Sequence, residues 1–466
     1  MFKRHYQPSM DWSQIEASAP GRFVLIGDYG DLEDRTAIAV AIDRRLKVTI
    51  RPYKEGYIRL NLKDFDHVRE WPTTLPLFSM TRLVATYAGT LNYTDSIKRC
   101  LSPKLLDKKF YKTSLNVQRS SKTAPGTCDR VNGESNQSIK TSPAGTTSFA
   151  DNQHHYGDSE QESSSKKQTD IPDTIQEQEA SFFHEVNSLD PCEIDPVSQT
   201  DSTVLAFFVL YLAIGDSFAG SFRPALDVEI ESDITMCRGL GSSTALGVAL
   251  CGSLLKAFGI SAEPSIIIDW AHNVDKFFHK EVTSLHSSVA VNGGYIYYQK
   301  DQKDKIKYHG APHASPLKIL LIDTGVRRDP KQVIEVIIKK LSSKSEFISL
   351  ALSQLNDLAT RIWRLMNDPQ FKANSISQQL DDAQSILDSL GLNHERMRTI
   401  QTIAQRAGFV VKQSQAGETM FLLYDELDER IDEFISDLSA ADNFKVDYHE
   451  ISFDGLRIKA TKDGKK

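Results

Sequence analysis

The chain has 466 residues, more than one core commonly serves, so two lobes are expected. Hydrophobic residues make up 40% and charged residues 25%, the balance of a soluble globular protein, and a formal net charge of −7 argues against nucleic acid or an anionic membrane surface as partner. The first residues lack the apolar core of a signal peptide, and the longest apolar run, 204–214, is too short to span a bilayer. The five cysteines form no CxxC pair, which predicts reduced thiols and a cytoplasmic protein.

From about residue 15 to 60, apolar and polar positions alternate, as in Leu46-Lys47-Val48-Thr49-Ile50-Arg51, which predicts strands separated by turns. A helix is expected over about 79–91. From 114 to 200 the composition turns to Ser, Thr, Gln, Asn, Asp and Lys, with few large apolar residues. Such a segment buries too little surface to offset chain entropy and reads as a disordered insertion in a surface loop, its His154-His155 pair a solvated feature rather than a metal site. Order is expected to resume with a buried helix from Val204. A strand follows at 225–230, then a helix over 264–279, strand pairing around Gly293-Gly294-Tyr295-Ile296, and an apolar strand at 317–324. A long helical region runs over 330–390, and helix and strand alternate to Ile458. The class is α+β, with no internal repeat.

Between the strand at 225–230 and the next helix lies Gly239-Leu240-Gly241-Ser242-Ser243-Thr244. Glycines let the backbone adopt positive φ and approach a ligand closely, and a helix that opens there points its first N–H groups and the positive end of its dipole outward. That is a phosphate cradle, distinct from both the GxxxxGK[ST] and the GxGxxG patterns. An ordinary glycine turn with a serine cap accounts for the bare motif equally well.

Three separated segments together resemble the GHMP kinase family, and within it the mevalonate kinase branch. Ala19-Pro20-Gly21-Arg22-Phe23-Val24-Leu25-Ile26-Gly27-Asp28-Tyr29 is similar to the opening A-P-G-K-x-x-L-x-G-E-H motif, and the glycine loop is the second segment. The third runs from Trp270-Ala271 through Asp275 to Val289 and Gly293-Gly294, like the family's W-A-x-x-x-E…P-S-G-x-D…G-G. Leu320-Leu321-Ile322-Asp323-Thr324-Gly325-Val326-Arg327-Arg328 also resembles a strand and N-T-x-x-P-R turn of that branch.

The resemblance implies a two-lobed fold, with a ribosomal-protein-like first lobe at 15–113 and 201–310, the insertion at 114–200 between them, and a ferredoxin-like second lobe at 311–460. It implies ATP-dependent phosphorylation of a small alcohol such as mevalonate, with Mg²⁺, and a homodimer is one compatible assembly. The amides of Gly239, Leu240, Gly241, Ser242, Ser243 and Thr244 would hold the nucleotide phosphates. Arg238 is either a further phosphate cation or a solvated arginine. Ser242 or Ser243 with Asp275 would hold the metal, and Asp28 and Thr324 would bind the acceptor. Arg22 and His286 stand where the family has a lysine and an aspartate beside the reacting hydroxyl. Arginine keeps the charge in a wider fork, and histidine is either a base or a hydrogen-bonded pocket residue. The family's K-x-T-G-A-G-G-G-G loop becomes Lys412-Gln413-Ser414-Gln415-Ala416-Gly417-Glu418-Thr419, in which Glu418 would bring negative charge towards phosphate. Three readings stay open: a mevalonate-type kinase with altered groups, a catalytically silent binding or regulatory module, and a kinase for another sugar or polyol.

Overall fold

The computed structural model describes residues 11–29, 35–73, 196–218 and, with short gaps, 223–462. These fall in one compact unit, 1–106 with 173–466; the second unit, 107–172, lies outside the described residues. So do the helix expected at 79–91 and nearly all of the insertion expected at 114–200. At its end, helix α1 (Pro196–Phe218) begins a few residues before the boundary expected from composition, because Pro196 opens a helix whose apolar body starts only at Val204.

Eight strands form the first sheet: β1 (Gln14–Ile26), β2 (Ala37–Pro52), β3 (Tyr57–Leu62), β4 (His67–Pro72), β5 (Leu226–Ser232), β6 (Tyr295–Lys300), β7 (Ile306–Gly310) and β12 (Arg457–Thr461). Their order is β12-β1-β2-β5-β3-β4, with β6 pairing both β2 and β7. Strand β2 is long enough to serve two partners in turn. Ala37–Val40 pairs with β6, and Leu46–Pro52 pairs with β5. The pairing is antiparallel except between β3 and β5. The strand at the chain's end, β12, returns to this sheet beside β1, with Gln14 opposite Thr461.

The second sheet is antiparallel, in the order β11-β8-β10-β9, from β8 (Lys318–Asp323), β9 (Lys412–Ser414), β10 (Thr419–Tyr424) and β11 (Lys445–Glu450). The two-residue period of a strand divides its apolar residues between two cores. Leu320, Ile322, Met420 and Leu422 join a cluster with Met397, Ile400, Phe434 and Leu438 of helices α8 (Glu395–Ala407) and α9 (Arg430–Asp442). Ile319, Leu321, Phe421 and Leu423 face the main core instead. Burial on both faces explains why β8 reads as a continuous apolar run rather than an alternating one. Phe421 meets Phe23 of β1 with ring centroids 4.7 Å apart, which ties the two sheets together. Such a pair adds about 0.5–1.5 kcal/mol beyond the area it buries. The helical region expected at 330–390 resolves into α5 (Pro330–Ser342), α6 (Glu346–Met366) and α7 (Ser377–Ser389).

Two local features aim the sheet's side chains at one place. Strand β1 shifts register between Pro20 and Arg22, where proline has no N–H to give to a ladder. The Arg22 N–H is thereby turned out to the carbonyl of Leu240, at 2.8 Å. On β2, the small residues Ala37, Ala39 and Ala41 share one face and pack with Leu285 and Val289 of α4 (Ser284–Asn292). Three methyl groups let that helix lie close to the sheet, and it carries His286.

Candidate active site

Helix α2 (Ser242–Ala257) is apolar nearly all round, which marks a buried helix. Its N-cap is Gly241, with φ of 76°, and no side chain caps the helix. Gly239 also has positive φ, 69°. The N–H groups of a first helical turn have no acceptor within the helix, so this end keeps donors and positive dipole for an anion. Leu240 is buried, whereas Ser242 and Ser243 are partly exposed.

The loop is clasped from both sides. The Arg22 guanidinium donates to the Gly239 carbonyl and to Gln415 Oε1, each at 3.3 Å. Thr419 Oγ1 donates to the Arg238 carbonyl at 2.9 Å. A Cβ at Gly241 would lie 2.8 Å from Arg22 Cγ. Gly241→Val is therefore expected to abolish thermal stabilisation by MgATP, since it strains a left-handed backbone and displaces Arg22. A variant that MgATP still stabilises as well as wild type would show that phosphates do not approach here.

Asp275, on α3 (Pro264–Phe278), is 1% exposed. Its Oδ2 accepts a hydrogen bond from Thr244 Oγ1 at 2.7 Å, in the first turn of α2. Its Oδ1 is buried with no hydrogen-bond partner among the described residues. A carboxylate oxygen held beside a phosphate cradle and left unsatisfied fits a hard divalent cation, with Ser242 and Ser243 the nearby hydroxyl donors. Thr244 was expected at the phosphates; here it also orients this carboxylate.

His286 is 3% exposed on α4, which packs against β1, β2, α2 and α3. Its neighbours Ser287 and Ser288 are fully buried, with hydroxyls lacking a partner among the described residues. This polar stretch is where the resemblance placed the acceptor.

Other expected assignments change. The Asp28 side chain is 0% exposed; its Oδ2 accepts from Lys412 Nζ at 2.6 Å and its Oδ1 from the Gln415 N–H at 2.9 Å. Through these bonds it anchors β9 and the turn after it. Burial pushes the Lys412 ammonium below the ordinary lysine range, and the charge and hydrogen bond of Asp28 oppose that shift. Thr324 is likewise fully buried, its hydroxyl shared between the carbonyls of Gly417 (2.8 Å) and Glu418 (3.0 Å) while accepting from the Val326 N–H. It ties β8 to the turn before β10. Arg238 is a paired residue, not a solvated one: its guanidinium meets Asp323, and both side chains are mostly buried.

Glu418 is 2% exposed, and its Oε2 lies 3.4 Å from where a Cβ on Gly239 would stand. Arg328, from the turn after β8, is one cation whose field it feels. Burial pushes that guanidinium down, while Tyr29 and Glu418 draw it back up. Arg328 also donates to the carbonyls of Leu392 and Asn393. Lys412, Gln415 and Arg328 were not singled out as site residues. The signal available was a lysine directly after the apolar stretch Phe409-Val410-Val411, a charge that a buried strand tolerates only with a partner.

Residues 206–294 match the model described as the GHMP kinases N terminal domain. The chain is similar to mevalonate kinase of Bos taurus, 25% identical over 243 residues, 48% of this chain and 60% of that relative. It is 24% identical over 191 residues to mevalonate kinase of Pyrococcus horikoshii, 40% of this chain and 55% of that one. The aligned sequence thus spans little more than half the length of these relatives. In fold, the similarity covers nearly everything. The mevalonate kinase of Methanococcus jannaschii superposes with a TM-score of 0.58 over 95% of this chain and 99% of that one, at 13% identity. A Lactococcus lactis galactokinase complexed with galactose gives 0.56 over 95% of each, at 11% identity. The chain is similar to the GHMP kinases over residues 206–294, and to mevalonate kinases in sequence and in fold.

Proposed function

We propose that the protein transfers the terminal phosphoryl group of ATP to the hydroxyl of a small alcohol, with mevalonate the first candidate and Mg²⁺ the ion. The observation that carries this reading is the buried Oδ1 of Asp275, which has no partner among the described residues, on a carboxylate whose Oδ2 is held by Thr244 at the mouth of α2 beside two positive-φ glycines. Phosphoryl transfer asks a protein chiefly for positioning and for charge around the moving group. In this reading the loop amides bind the nucleotide phosphates, Asp275 with Ser242 or Ser243 holds the ion, and Arg22 supplies positive charge from β1. His286 takes the acceptor's proton, and Ser287 and Ser288 offer hydroxyls to the acceptor. The test is ADP release with and without Mg²⁺ and mevalonate, beside a panel of sugars and polyols. Mevalonate-dependent ADP release is expected; release only with a sugar would reassign the acceptor, and none with any alcohol would end the kinase reading.

A second reading, a nucleotide-fold module without turnover, is favoured by Glu418. A carboxylate beside Gly239 repels phosphate, and a full charge at such range amounts to a tenfold or larger effect on affinity even in a partly polarisable site, roughly 1.4 kcal/mol or more. Glu418→Gln is expected to tighten MgATP binding by roughly tenfold, read by calorimetry. Unchanged affinity would mean that Arg328 already neutralises Glu418, and would remove the main support for the silent reading.

A further inference from the structure

The turn between β9 and β10 stands where the family has a glycine loop, yet Gln415 within it is held by several hydrogen bonds. Gln415 has φ of 47°, a conformation that costs any residue with a Cβ and that glycine would adopt freely. It is nevertheless anchored three ways. Its N–H donates to Asp28, its carbonyl accepts from Gln413 Nε2 at 3.0 Å, and its side-chain Oε1 accepts from Arg22. Behind it, Gln413 is itself fixed by Gln384 of α7, whose Oε1 accepts from the Gln413 N–H at 2.7 Å. The side-chain oxygen is thus held by a rigid frame and offered to a guanidinium. The same guanidinium also reaches the Gly239 carbonyl.

We propose that Gln415 is a positioning residue, whose side-chain carbonyl holds the Arg22 guanidinium against the phosphate loop. This rests on the phosphotransferase reading for its functional consequence, but not for its geometry. Arginine is longer than the lysine that the family carries at this place, and its planar fork needs a second acceptor to fix its direction. A neutral amide oxygen provides that without cancelling the charge. A carboxylate would hold the arginine equally well and neutralise it. The strained backbone at Gln415 is retained for what its side chain does.

Two variants separate positioning from a structural role. Gln415→Gly relieves the left-handed strain and deletes the contact with Arg22, so melting temperature should hold or rise while function falls. Arg22 modification by phenylglyoxal, followed by peptide mass mapping without nucleotide, should accelerate several-fold, and MgATP affinity should weaken by roughly tenfold, the scale of one hydrogen bond to a charged group. Gln415→Glu keeps the contact, so Arg22 modification should stay slow, while MgATP affinity again falls because the charge is neutralised. Unchanged Arg22 reactivity in Gln415→Gly would overturn the proposal, as would a gain in MgATP affinity on restoring glycine. If wild-type protein binds no MgATP, the phosphotransferase reading fails, and the modification arm alone still decides whether Gln415 positions Arg22.

Discussion

Replacing Lys412 by methionine is expected to destabilise the protein by about 3–5 kcal/mol, the cost of leaving one partner of a buried ion pair without the other. Lys412 and Asp28 are both 0% exposed, with Nζ and Oδ2 2.6 Å apart, so no water takes over when either charge is removed. The remaining hydrogen bonds raise the stakes. Lys412 Nζ also donates to the Gln413 carbonyl, and Asp28 Oδ1 holds the Gln415 N–H, so the turn before β10 loosens with the pair. The double variant Lys412→Met with Asp28→Asn removes both charges and keeps an acceptor for Gln415. It should recover most of the loss, because replacing both members of a buried pair costs far less than breaking it. Urea midpoints of the two single variants and the double variant measure this. A loss below about 1 kcal/mol in Lys412→Met would place the pair in contact with water, where ion pairs contribute little.

That pair also marks the limit of what the sequence shows. Local pattern is enough for strands β1, β2, β3, β5 and β6 of the first sheet, for β8 and for the helical region after 330, because periodicity and burial are properties of neighbouring residues. The glycine loop and α2 were legible for the same reason, whereas Asp275 was placed only by the resemblance of the segment from Trp270. Asp28 and Lys412 lie 384 positions apart, and Arg22 and Gln415 lie 393 apart. Nothing in either neighbourhood encodes its partner. Asp28 and Thr324 were placed at the acceptor only by the resemblance of their motifs, which carries no information on what either side chain meets in this fold. The glycine-poor sequence around Gln415 reads as a loop that has lost its purpose. In the fold, two substituted side chains meet, since Gln415 holds Arg22, and Glu418 sits in the field of Arg328, which matches the arginine of the motif. Two departures far apart along the chain, at Arg22 and Gln415, are paired in space.

Asp275→Asn is expected to separate stability from function more sharply than any other single change. The wild-type carboxylate carries a buried oxygen with no partner among the described residues, a state that costs free energy in the folded protein. Asparagine is nearly isosteric, and its carbonyl oxygen still accepts from Thr244 Oγ1, so the contact between α2 and α3 survives. Removing the charge should therefore leave stability unchanged or raise it by about 1 kcal/mol. If the carboxylate is there to hold a divalent ion, millimolar Mg²⁺ should raise the melting temperature of the wild type and leave that of Asp275→Asn where it was. Alcohol-dependent ADP release should fall by about a hundredfold or more, since a bound cation supplies several kcal/mol of charge stabilisation in phosphoryl transfer. A destabilised Asp275→Asn, in a protein whose wild type ignores Mg²⁺, would instead make the carboxylate a structural brace between two helices. The proposed ion site would then be lost, and with it the observation that most favours an active kinase over a silent relative.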